Sequence, residues 1–240
     1  MNRIAIIAAM PAELKPLVRG WQQDRQNGVE LWRWSFDEGE WIAACAGAGV
    51  NAATRAFGET ERDGPLSCVI STGWAGALRA DLKAGQAYDV SAVIDIRTGE
   101  QFRPGKWFGE RWLVTSPRVA DAPEKLRLAE TYSAALVDME ASAVARLAQM
   151  RGIPFYCIKG ISDSYTEQLP DFNRFITPDG QFKLASFIVF AVFHPWHWPA
   201  LIRMGENSKK AAQCIAASLL DFLDERGYIR SRNDYPNYKR

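Results

Sequence analysis

Short apolar runs, several of them with no polar alternation, punctuate the first two thirds of this chain. They fall at Ile4–Ala9, Leu31–Phe36, Trp41–Ala46, Cys68–Thr72, Ala87–Ile94, Trp112–Thr115, Ala134–Val137 and Phe155–Ile161. Runs of this length bounded by glycine, proline or charge suit strands buried on both faces of a sheet. Between them lie segments with helix formers and apolar residues three and four apart: Pro11–Trp21, Asn51–Arg62, Pro123–Thr131 and Met139–Arg151. Helices over Phe182–Phe193 and Pro199–Arg226 close the pattern. Strand alternating with helix predicts a three-layer α/β/α fold around a central mixed, largely parallel sheet.

Length and charge narrow the function. A chain of 240 residues with 48% hydrophobic content fits a single α/β unit, since such domains run to roughly 200 to 250 residues. We expect one catalytic domain over residues 1–230 and a polar tail over 231–240. Lys plus Arg total 29 against 28 acidic residues, a formal charge of +1, so no field of one sign attracts nucleic acid or an anionic membrane. The Ile4–Ala9 run is followed too soon by Pro11 and Glu13 to read as a secretory signal. The apolar stretch Leu184–Phe193 stops at His194-Pro195, short of the roughly 20 residues that span a bilayer. A cytoplasmic protein without stable membrane insertion is expected. Cys45, Cys68, Cys157 and Cys214 form no C-x-x-C pair and read as buried thiols. His194 and His197 are the only imidazoles, which argues against a catalytic triad or a histidine-based zinc site; no metal and no cofactor is expected.

Chemistry in such sheets gathers beyond the carboxyl ends of strands. Four strand ends carry it here. Met10-Pro11-Ala12-Glu13 puts a proline at a helix start and Glu13 in its first turn, where the helix dipole alone also accounts for a glutamate. Ala46-Gly47-Ala48-Gly49 and Ser71-Thr72-Gly73-Trp74-Ala75-Gly76 let backbone amides approach a ligand oxygen, or simply serve tight turns. Val137-Asp138-Met139-Glu140-Ala141 and Lys159-Gly160-Ile161-Ser162-Asp163 place acidic residues just past hydrophobic strands. Unpaired carboxylates are costly there, so they meet hydroxyls, amides or a ligand; helix capping is the plainer account of Glu140 or Asp163 taken singly. Parallel strands would bring all four ends to one crevice.

These stretches, in this order, resemble the nucleoside phosphorylase superfamily, most closely its 5'-methylthioadenosine/S-adenosylhomocysteine nucleosidases. Met10 to Glu13 is similar to that family's Met-Glu-Glu-Glu element with Pro11 and Ala12 in place of the first two glutamates, and the Gly47 and Gly76 turns are similar to its Ser-Gly-Ile-Gly and Asn-Thr-Gly-Ser-Ala-Gly turns. The acidic motifs at Glu140 and Asp163 resemble the family's in composition and separation. The resemblance implies a nucleoside phosphorylase-like fold and hydrolysis of the N-glycosidic bond of a 5'-substituted adenosine, with release of adenine. It also implies that Glu13 activates water, that Met139 and Glu140 hold the ribose, and that Asp163, supported by Ser162, serves the purine. Val119 would lie beside the base, and Gly47, Gly76 and Trp74 would line the pocket. A homo-oligomer, a dimer first, is implied as well.

Three departures stand out. Trp74 replaces a small serine, Asp95–Arg111 is shorter and differently composed, and the C-terminal part from Phe182 to Ala212, with Pro195, Trp196, Trp198 and Pro199, looks more like hopanoid-associated nucleoside phosphorylases. The last feature keeps open a phosphate-dependent enzyme acting on a lipid-linked adenosine. Glu13 has no arginine beside it in sequence, which favours water, while Arg55, Arg97, Arg103 and Arg118 are the cations that a phosphate would need. A nucleoside-binding protein that has lost turnover is the third reading.

Chemically, N-glycoside cleavage develops an oxocarbenium-like sugar and a basic leaving group. A carboxylic acid at Asp163 that stays protonated, or shares its proton through Ser162, would neutralise purine N7, while Glu140 would strengthen its grip on ribose hydroxyls as the ring becomes cationic.

Overall fold

The computed structural model describes residues 2–36, 39–105 and 111–225. The expected tail over 231–240 and part of the Asp95–Arg111 segment lie outside the described residues. A 12-stranded sheet runs through the rest, in the order β2-β3-β4-β1-β5-β12-β6-β11-β10-β8-β9, with β7 pairing β12 beside it. The strands are β1 (Asn2–Ala8), β2 (Gln22–Gln26), β3 (Val29–Phe36), β4 (Gly39–Cys45), β5 (Cys68–Ser71), β6 (Trp74–Ala77), β7 (Ala87–Asp89), β8 (Ala92–Asp95), β9 (Gln101–Phe102), β10 (Trp112–Thr115), β11 (Leu136–Asp138) and β12 (Phe155–Asp163). The helices are α1 (Pro11–Leu14), α2 (Val50–Glu61), α3 (Ala122–Tyr132), α4 (Ala141–Arg151), α5 (Leu184–Phe193) and α6 (Trp198–Glu225).

The layering follows from side chains that alternate across each strand. In β1, Ala5 and Ile7 face a core shared with Ala52, Ala56 and Phe57 of α2 and with Val144 and Ala148 of α4. Ile4, Ile6 and Ala8 face the opposite core, closed by Leu14 of α1 and by Ile215, Leu219 and Leu223 of α6. Both faces of the strand are therefore buried, as its unbroken apolar sequence predicts. A third cluster seats Leu128 of α3 against Ile94, Val114 and Val137.

The direction of the strands differs from a simple parallel crevice. β4, β1, β5 and β12 run parallel, and so do β8, β10 and β11, but β6 is parallel to β12 and antiparallel to β11. The two blocks thus run in opposite senses, and their carboxyl ends come together because β12, 9 residues long, first pairs β5 at Phe155–Cys157 and then β6 from Gly160 onward. Gly160 permits the crossing: a Cβ there would lie 2.8 Å from Ile215 and 2.9 Å from Ala211 of α6.

Other elements depart from the sequence reading for identifiable reasons. The helix expected over Pro11–Trp21 ends at Leu14, because Pro16 has no N–H with which to continue the helical ladder. The strand expected over Ala87–Ile94 is two strands, Ala87–Asp89 on β12 and Ala92–Asp95 on β10. Trp74 to Gly76, the second half of the Ser71–Gly76 stretch read as a turn, belong to β6, which is paired on both sides.

Candidate active site

A cavity of about 870 Å³ opens where the strand ends meet. Glu13, Gly47, Trp74, Gly76, Val119, Met139, Glu140, Ser162 and Asp163 all line it. The nine residues singled out in the sequence therefore share one hollow, although they come from six different stretches of chain.

Glu13 is buried, 3% exposed, rather than a surface glutamate at a helix start. The short α1 turns its carboxylate back onto the loop after β1, where Oε2 accepts from the amides of Ala9 and Met10, each at 2.8 Å, and Oε1 accepts from the Trp74 amide at 2.7 Å. Gly73, at φ +110°, makes this possible, because a Cβ there would stand 2.9 to 3.0 Å from the carboxylate atoms. Burial raises the proton affinity of Glu13 above its ordinary value, against the pull of the three amides and of Lys159. A buried carboxylate tuned upward in this way is suited to take a proton near neutral pH.

Glu140 occupies the N-cap position of α4, but its side chain makes no capping bond. Oε1 instead accepts from the Gly49 amide at 2.7 Å across the cavity floor, and Oε2 from the Met139 amide at 3.2 Å. The helix start is satisfied by Asp138, whose Oδ2 accepts from the Ala141 amide at 2.9 Å and whose Oδ1 accepts from the Thr115 hydroxyl at 2.8 Å. Burial, and then the negative charge of Asp138, push the Glu140 carboxyl up to about 8. At neutral pH its proton lets it donate as well as accept hydrogen bonds.

Beneath these groups lies a buried ion pair that the sequence reading did not identify. Lys159, wholly buried in the middle of β12, places Nζ 2.9 Å from Asp138 Oδ2 and donates to the Thr72 carbonyl at 2.7 Å. Burial disfavours its charge, yet Asp138 overrides this and raises its proton affinity. The ammonium ties the middle of β12 to the ends of β5 and β11. A lone lysine inside an otherwise apolar strand was the available signal, since an unpaired buried ammonium is too costly to retain.

Asp163 ends β12. Its Oδ1 accepts from the Ser162 hydroxyl at 2.5 Å, and its Oδ2 forms a buried ion pair with Lys125 of α3. Lys125 Nζ also donates to the Ser164 carbonyl at 2.7 Å. Both Asp163 oxygens are thus engaged, by a hydroxyl and by an ammonium, and no helix follows for it to cap. Lys125 was invisible in sequence because a lysine on an amphipathic helix reads as solvated.

The remaining wall has two characters. Trp74 turns its indole to α6, where Nε1 donates to the Ser208 carbonyl at 2.9 Å. The Val119 amide and carbonyl are held by the Asn173 side chain at 2.8 and 3.1 Å. Gly47, at φ +109°, leaves room for Gly180, whose carbonyl accepts from the Ala48 amide at 2.8 Å. Beyond them Leu169, Phe172, Phe182, Leu184 and Phe187 make the far end of the cavity apolar, the rings of Phe172, Phe182 and Phe187 meeting at 5.4 to 6.4 Å. Of the four arginines weighed as phosphate ligands, Arg118 lines the cavity and also, with Arg97, an adjoining hollow of about 430 Å³. Arg55 donates to the carbonyls of Ala46 and Asp179, and Arg103 lines neither hollow.

This architecture is the nucleoside phosphorylase-like α/β fold, and residues 98–186 match the Phosphorylase superfamily. No curated protein matches the chain in sequence. Among solved structures it is similar to futalosine hydrolase of Helicobacter pylori, with 18% identity, a TM-score of 0.72, and coverage of 93% of this chain and 98% of that one. It is likewise similar to a mutant 5'-methylthioadenosine/S-adenosylhomocysteine nucleosidase of Helicobacter pylori with 5'-methylthioadenosine in its active site, at 17% identity, TM-score 0.72, and 94% and 99% coverage. A third, S-adenosylhomocysteine nucleosidase of Streptococcus pyogenes in complex with 5-methylthiotubericidin, gives 18% identity, TM-score 0.71, and 93% and 97% coverage.

Proposed function

We propose that the chain is a nucleosidase that hydrolyses the N-glycosidic bond of a 5'-substituted adenosine and releases adenine. The observation that carries this reading is the convergence of Glu13, Glu140 and Asp163 on one cavity of nucleoside size. Asp163 faces the base and manages the proton that N7 gains as the bond to N9 breaks. Glu140 and Met139 hold the ribose, the carboxyl gripping hydroxyls whose acidity grows as the ring becomes cationic. Glu13 takes a proton from the water that attacks the anomeric carbon. The similar fold of nucleosidases and futalosine hydrolase supports the same reaction type. We also propose a cytoplasmic homodimer, since α5 buries none of its residues within the chain.

The test is adenine release from 5'-methylthioadenosine and S-adenosylhomocysteine, with and without phosphate. Turnover independent of phosphate is expected, and Asp163→Asn should lower kcat by about 100- to 10,000-fold. Near wild-type turnover in that variant removes Asp163 from the chemistry. The apolar far end of the cavity favours a second reading, in which the 5' substituent is a lipid and phosphate is the nucleophile, with Arg118 among the cations that line the cavity. A strict requirement for phosphate selects it.

A further inference from the structure

We propose that Lys125 supplies the proton that Asp163 hands to the departing base, so that the acid of the site is the Lys125–Asp163 pair and not the aspartate alone. This rests on the nucleosidase reading given above. Lys125 is 2% exposed, and retaining a lysine there costs several kcal/mol unless its charge has a partner. Its ammonium meets Asp163 Oδ2 and the Ser164 carbonyl, at the wall of the cavity. Gly76 makes the room: a Cβ there would stand 3.1 Å from Lys125 Cε and 3.3 Å from Asp163 Oδ2.

The proton count then follows. Both Asp163 oxygens already face a donor, the Ser162 hydroxyl and the Lys125 ammonium, so in this scheme the aspartate relays a proton from one of them. Of its two donors, the Ser162 hydroxyl is a far weaker acid than an ammonium. As the C1'–N9 bond breaks, its electron pair passes to the purine. A proton moves from Lys125 Nζ to Asp163 Oδ2 and on to N7, leaving Lys125 a neutral amine. Water gives hydroxide to C1' and its second proton to Glu13, and exchange of one proton from Glu13 to Lys125 through solvent resets the site. Lys125 acts through Asp163 and is a positioning residue in this scheme.

The test compares 5'-methylthioadenosine, whose adenine must be protonated to leave, with p-nitrophenyl riboside, whose phenolate leaves unaided. In Lys125→Met the ratio of the two rates should shift against the purine by about 100-fold or more, and the alkaline limb of the purine pH profile should move to lower pH. Lys125→Arg keeps a cation on Asp163 but releases no proton, so it should show the same shifted ratio. Wild-type purine turnover in Lys125→Arg, or an equal loss of both substrates in Lys125→Met at an unchanged melting temperature, overturns the proposal while leaving the nucleosidase reading intact. Cleavage of neither substrate by the unaltered chain sinks both.

Discussion

Glu140 is a carboxyl whose proton affinity is raised on folding, from an ordinary 4.5 to about 8, and this has a thermodynamic sign. The folded protein binds that proton more tightly than the unfolded chain does. The associated stabilisation is full below the ordinary value and is lost as pH rises towards 8. Glu13 is shifted in the same direction. The melting temperature should therefore fall between pH 5 and pH 8, and Glu140→Gln, which cannot titrate, should flatten the slope by about 1 to 4 kcal/mol over that window. Parallel curves for the two proteins would mean that the carboxyl is not held protonated. The three acidic residues were legible in sequence because each follows an apolar strand. Their partners were not. Lys125 shares the buried face of α3 with Leu128, while Leu126 is 60% exposed, an inversion that no periodicity rule anticipates.

Among the elements, α6 depends on a single missing side chain. Gly160 lets the helix lie directly on β12, and a methyl group there meets Ile215 and Ala211 at 2.8 and 2.9 Å. Gly160→Ala should cost about 1 to 3 kcal/mol through overpacking, read as a lowered urea midpoint, and an unchanged midpoint would show the helix free to shift. The same contact carries Trp74 to Ser208, so the variant should also weaken substrate binding. Core strands such as β1 and β4 were readable because both their faces are buried. β2, the polar Gln22–Gln26 stretch at the sheet edge, offers no apolar signal, and its place is set by pairing with β3.

For the molecule as a whole, the crevice was anticipated but its construction was not. One parallel sheet would have sufficed; the protein uses two opposed blocks that meet where β6, parallel to β12, pairs antiparallel with β11, and opposed directions cannot be read from local composition. The outer surface sets a further expectation. Ile188, Val189, Val192 and Phe193 of α5 are all more than half exposed, and a contiguous apolar patch of this kind marks an interaction surface. We expect sedimentation as a dimer, with the double substitution Ile188→Lys and Val192→Lys giving a monomer. A wild-type monomer that binds lipid vesicles would shift the balance to the lipid-linked substrate.

Gly47 and Gly180, far apart in the chain, lie where two loops touch without room for a side chain: a Cβ on Gly47 would sit 2.4 Å from the Gly180 carbonyl, and one on Gly180 would sit 2.1 Å from the Ala48 carbonyl. Neither position can be diversified without prising two loops apart. Attempts to breed new specificities from this scaffold will find their tolerant positions among the phenylalanines of the cavity's distal lobe, while its glycine rim stays closed to variation.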